Sequence, residues 1–171
     1  MPSSTFLNLN DEKKQVITNA LLEEFSKHSL PDAQVARIVK SAGIARGAFY
    51  KYFADLEDAY QYLYQKSITE IHQGITNNHQ VLSAKGYKKQ ITDFITKVMG
   101  GEYSKLFRLH YQVNEHLIQS NSTSLQPHSS MEWAVMVLSH ETIKDTLENP
   151  KKAEELIERY YHALKIMMKG E

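Results

Sequence analysis

Residues 32–53 read DAQVARIVKSAGIARGAFYKYF, and their spacing decides the fold. Val35, Ile38 and Val39 recur at helical steps, and Phe49 and Phe53 stand four apart. Between the two runs lies Gly43, a residue that takes a positive φ at low steric cost and so permits a tight turn. Two short helices are expected here: about Ala33–Ser41, capped by Asp32, and about Ala45–Tyr52. Such a helix-turn-helix would put its second helix into a DNA major groove.

A reading helix needs small residues where the groove is close and long polar side chains that reach bases and phosphates. Ala45, Gly47 and Ala48 are small and cluster at the helix start. Arg46 sits among them, placed for a bidentate contact to guanine. Tyr50 and Lys51, a turn later, suit phosphates. Gln34 and Lys40 on the preceding helix are candidates for a backbone or base contact. The stretch holds Arg37, Lys40, Arg46 and Lys51 against Asp32 alone. The whole chain balances 20 basic against 20 acidic residues, so the positive charge is local.

Outward from this stretch, apolar spacing stays helical and no alternating strand pattern is convincing. The fold class is all-α. The first helix is expected over about Asp11–Lys27, capped by Asn10, with Ile17, Ala20, Leu21 and Phe25 inside and Pro31 barring its continuation. Asp55 would cap a long helix running to about Asn78. Further helices are expected over about Lys88–Met99, Glu102–Gln119, Met131–Leu147 and Lys151–Lys169, with a break at Gly100-Gly101 and a polar loop at Asn121–Ser130. The last two helices (about 131–147 and 151–169) carry more apolar surface than a small monomer easily covers, so they are either a well-buried helical pair or, the favoured reading, an interface for a partner helix. Tyr64, Phe94, Phe107, His110, Tyr111, Asn114 and Trp133 are either ordinary core or the lining of a mixed aromatic and polar pocket.

Other function classes are excluded on composition and motif. At 171 residues the chain is near the size of one domain. It has no cysteine, which removes disulfides, thiol nucleophiles and cysteine-ligated zinc, and fits a cytoplasmic protein. MPSSTFLNLN has neither the basic nor the apolar region of a signal peptide. The longest apolar run, Trp133–Leu138, is too short to span a bilayer, so no membrane partner is expected. His140-Glu141 lacks the second histidine of HExxH, because Lys144 stands there. No phosphate-binding glycine loop and no nucleophile elbow occurs. No enzyme, no metal and no cofactor is expected.

The order Ile17, Ala20, Phe25, then Val35, Ile38, Ala42-Gly43-Ile44, then Gly47, Phe49-Tyr50-Lys51-Tyr52-Phe53 and Glu57 resembles the N-terminal domain of the TetR-like (tetracycline-repressor-like) transcriptional regulators. The pattern spans about Val16 to Tyr60. The resemblance implies an N-terminal three-helix helix-turn-helix DNA-binding domain over residues 1–54 and a C-terminal helical ligand-binding and dimerisation domain over residues 55–171. It implies a homodimer on double-stranded DNA, a repressor released from a near-palindromic operator by a small-molecule effector. The helix after Asp55 would then be the lever between pocket and reading head. By position Arg46, Ala48, Tyr50 and Lys51 match the family's DNA contacts. The chain departs from the pattern at Ala45 and Ala48, where hydroxyl residues are common, at Leu56, where lysine is common, and at Ser29, where glycine is common. Those departures motivate an alternative: a helical ligand-binding or interaction protein with impaired DNA binding.

Overall fold

The structure is a computed structural model that describes residues 1–72, 82–118 and 129–168. Among these residues there is helix and no strand. The chain divides into two compact units, Met1–Glu70 with Lys105–Ile118, and Ile71–Ser104 with Gln119–Glu171.

The first unit opens with a helix that the sequence reading left as tail. α1 (Ser4–Leu7) is one turn, and its cap Ser3 accepts from the Phe6 N–H. Its single buried side chain is Phe6, 1% exposed. α2 (Asp11–Phe25) is capped by Asn10, whose side chain accepts from the Lys13 N–H. Asp11 and Glu12 lie at the positive end of its dipole. It ends two residues before Lys27, and Pro31 stands in a separate 3-10 turn, Leu30–Asp32. Ile17, Ala20, Leu21 and Phe25 are all buried, as their spacing predicted.

α3 (Val35–Ala42) starts later than expected, and Asp32 does not cap it. The Asp32 carboxylate instead accepts from the Ser29 hydroxyl at 2.5 Å. Gln34 is the cap residue, and the first N–H is satisfied from another helix: Glu24 of α2 accepts from Gln34 N at 2.7 Å. At the far end Gly43 has φ 63°. Gly43 N bonds back to Lys40 O, and Ile44 N to Val39 O at 3.0 Å, the paired closure that a left-handed residue allows. α4 (Arg46–Tyr52) follows, with Ala45 extended and offering no side-chain cap. α5 (Leu56–His72) begins at Asp55, which accepts from Asp58 N at 2.8 Å. Its expected continuation to Asn78 lies outside the described residues, as does most of the expected loop Asn121–Ser130.

α7 (Ser104–Leu109) breaks the expected helix Glu102–Gln119. It runs into one π turn, His110–Asn114, closed by Glu115 N to His110 O at 2.8 Å. A widened turn of this kind adds a residue to the ring and misaligns the ladder beyond it.

In the second unit α6 (Ala84–Gly100) is longer than expected, because Ser83 caps it by accepting from Gly86 N. It ends at Gly100, next to the predicted break. α8 (Ser130–Glu148) and α9 (Ala153–Met168) complete the unit, the latter after a 3-10 turn at Pro150–Lys152. Ile91 and Ile95 of α6, Val135 of α8, and Ile157, Tyr160 and Leu164 of α9 form one core. Tyr160 and Ser139 share a hydroxyl bond of 2.9 Å across α8 and α9.

Candidate nucleic-acid interface

α4 has seven residues, too few to hold a helix alone. Its inner side holds it in place. Phe49 and Phe53 are 0% and 1% exposed, and each contributes on the order of 2–3 kcal/mol by burial. Phe49 and Phe53 pack ring to ring at 5.6 Å, and Phe53 meets Tyr62 of α5 at 5.7 Å. With that side locked, Arg46, Gly47, Tyr50 and Lys51 are exposed together. Ala45 is exposed and Ala48 half-buried at the same helix start.

Arg46 and Tyr50 form a pair one turn apart. The guanidinium donates to the Tyr50 hydroxyl at 3.3 Å and lies 5.8 Å from the ring centroid. Gln34, the cap residue of α3, and Lys40 within it are also exposed. A groove of about 470 Å³ runs beside this face, between Asn10, Lys13 and Val16 of the α2 start and Gly43, Ile44 and Ala48.

Arg37 has another role. Its Nε donates to both Glu24 oxygens, at 3.0 and 2.9 Å, and its Nη2 to Oε1 at 2.6 Å. The same Nη2 also donates to Asp32 O at 2.7 Å. Glu24 is 5% exposed. Burial works against its charge, but the bonds from Arg37 and from Gln34 N outweigh burial and hold the carboxyl below its ordinary value. The pair joins α2 to the front of α3, a role that spacing alone did not reveal.

The seven ligand candidates fall in two groups. Tyr64, Phe107, His110, Tyr111 and Asn114 belong to the first unit. Tyr64 stacks on His110 at 3.9 Å and meets Phe107 at 5.5 Å. Tyr60, absent from the candidates, shares a 3.0 Å hydrogen bond with His110 Nδ1 and meets Phe25 of α2 edge-on. Its place four residues before Tyr64 on the same stripe was the available signal. Asn114 is 0% exposed, and its Oδ1 accepts from Leu30 N, in the turn that leads into α3, at 2.9 Å. Burial pushes the Tyr60 and Tyr64 hydroxyls above their ordinary range and Tyr111 up to about 12. All three phenols therefore remain protonated at neutral pH. Phe94 and Trp133 belong to the second unit, the first 7% and the second 58% exposed.

No described group of three or more metal-ligating side chains converges, and no described helix is long and apolar enough to cross a membrane. Residues 17–58 match the family described as "Bacterial regulatory proteins, tetR family". No curated protein matches the chain. Among solved structures, a TetR family transcriptional regulator from Chloroflexus aurantiacus is similar at 21% identity, with 99% of this chain and 98% of that one covered and a TM-score of 0.54. The fatty acid degradation regulator FadR from Bacillus halodurans is similar at 18% identity, 88% and 97% coverage, and a TM-score of 0.61. FadR from Bacillus subtilis, solved with stearoyl-CoA, is similar at 16% identity, 86% and 97% coverage, and a TM-score of 0.55. The chain thus carries a tetR-family domain over residues 17–58 within the all-helical fold of TetR-family transcriptional regulators.

Proposed function

We propose that the protein is a cytoplasmic transcriptional repressor, not an enzyme, that binds a near-palindromic operator as a homodimer and leaves it when a small molecule binds. In this reading residues 1–54 bind DNA and residues 55–171 bind ligand and dimerise. The observation that carries it is the exposed face of α4, where Arg46, Tyr50 and Lys51 stand out from a helix locked by Phe49 and Phe53. Arg46 would read a guanine, and Lys51 and Tyr50 would take phosphates, with Gln34, Lys40, Ala45 and Ala48 completing the contact surface. Two such helices about 34 Å apart would meet successive major grooves.

The effector site in this reading is the ring cluster of Tyr64, Phe107, His110, Tyr111 and Asn114, with Phe94 and Trp133 as the remaining candidates. What supports its coupling to DNA is the bond from Leu30 N to Asn114 Oδ1, since a ligand that parted these rings would pull on the turn before α3. Because one protein of similar fold was solved with stearoyl-CoA, a long-chain acyl-CoA is the first effector to try.

The test is selection of duplexes from a random pool by the full chain, followed by titration of a long-chain acyl-CoA, then of other apolar small molecules. Enrichment of an inverted-repeat site and its release on titration is the expected result. A folded dimer that enriches no duplex even at low salt would overturn the DNA reading and favour the helical binding protein instead.

A further inference from the structure

The first residues of the chain grip the far end of α4. The last carbonyls of any helix lack partners within it. Two of those on α4 are taken by one residue, 48 and more positions away in sequence. Ser3 Oγ donates to Lys51 O at 2.6 Å, and Ser3 N donates to Tyr52 O at 2.9 Å. The same hydroxyl accepts from Phe6 N at 3.3 Å, so one oxygen caps α1 and fastens α4. Phe6 then fills the space behind that end, its ring 5.9 Å from Tyr52 and 4.9 Å from both Phe53 and Tyr62. The opposite end of α4 has no side-chain cap, since Ala45 stands there. Ser3 thus gives this two-turn helix a polar tether at its far end, and Phe6 backs it with apolar packing.

We propose that Ser3 and Phe6 are positioning residues for DNA reading, setting the angle at which α4 presents Arg46. This rests on the DNA reading above. Met1–Asn10 carries no basic side chain and its terminal ammonium is paired with Asp58, so this segment acts through α4 rather than by its own charge on DNA. Base contacts need the helix axis held within a narrow range, whereas phosphate attraction tolerates a loose helix.

The test compares the full chain with Ser3→Ala, Ser3→Thr and Phe6→Leu. The probes are the duplex that the wild type enriches from a random pool and an unselected duplex of equal length. Ser3→Ala is expected to weaken binding to the selected duplex about fivefold, the size of a lost cap, with the unselected duplex bound as before. Ser3→Thr, which keeps the hydroxyl, is expected to match the wild type. Amide exchange at Tyr52 and Phe53 is expected to quicken in Ser3→Ala and Phe6→Leu. Unchanged discrimination in Ser3→Ala overturns the proposal, whether or not exchange quickens. Equal loss on both duplexes also overturns it, because that marks general loosening. A wild type that enriches no duplex fails the DNA reading itself, a result distinct from either of these.

Discussion

Arg46 and Lys51 leave the same short helix, yet the proposed DNA reading gives them different work. Arg46 presents a planar fork, already ordered by the Tyr50 hydroxyl, while Lys51 presents a point charge. Arg46→Ala is expected to cost about 1–3 kcal/mol on a selected duplex and little on random DNA, whereas Lys51→Ala weakens both and lowers the salt slope by about one. Anisotropy titrations at several salt concentrations check this, and equal losses for Arg46→Ala on both duplexes would remove its base-reading role. Glu24 carries a different expectation. Folding depresses its pKa, so its contribution is complete at neutral pH, above the ordinary carboxylate value, and disappears as pH falls through the folded value. Glu24→Gln is expected to lower stability at neutral pH and to flatten the acid limb of the stability profile. Urea unfolding across acid pH is the measurement, and a variant with the wild-type acid limb would show that Glu24 is not the linked group.

At the scale of elements, the helix starts show how local chemistry and tertiary contact share the work. Asn10, Ser83, Asp55 and Ser129 each accept from an N–H three residues on, the bond their side chains predict. α3 breaks this rule by borrowing Glu24 from α2, and α4 has no side-chain cap at all. Ala45 has φ −71° and ψ 147°, the extended geometry of a cap residue. Ala45→Ser is therefore expected to stabilise the protein by about 1 kcal/mol, seen as a rise in thermal midpoint. A fall would mean that the start of α4 cannot host the hydroxyl. Asp32, by contrast, sits in the 3-10 turn bonded to Ser29, too far back in the chain to reach the front of α3.

Across the whole molecule, the proposed dimer is the property most open to test. In the second unit the inner sides of α6, α8 and α9 are spent on one core. Trp133 at 58%, Met136 at 37% and Val137 at 42% remain exposed on α8, and Ile166 at 76% on α9. Apolar residues left exposed on two packed helices suit a partner surface. If the wild type sediments as the proposed dimer, Trp133→Glu is expected to sediment as a monomer at the same concentration, with circular dichroism unchanged. Its binding to a palindromic duplex should fall much further than its binding to a half-site. A variant that remains dimeric would take α8 out of the interface.

The sequence alone determined that the chain is helical, where the turn at Gly43 falls, and which faces of α2, α3, α4 and α6 are buried. Those features depend on residues three and four apart and on the φ that one glycine permits, so they are written locally. The exposed face of α4 was legible for the same reason, since small, basic and aromatic residues follow one another within two turns. Only the tertiary structure decided what holds the helix-turn-helix at both ends. Glu24 reaches Gln34 across 10 residues, Ser3 reaches Lys51 across 48, and Asn114 reaches Leu30 across 84. No periodicity encodes such pairings. Each depends on which N–H or carbonyl is left without a local partner once the helices have packed, and that is known only in the folded chain.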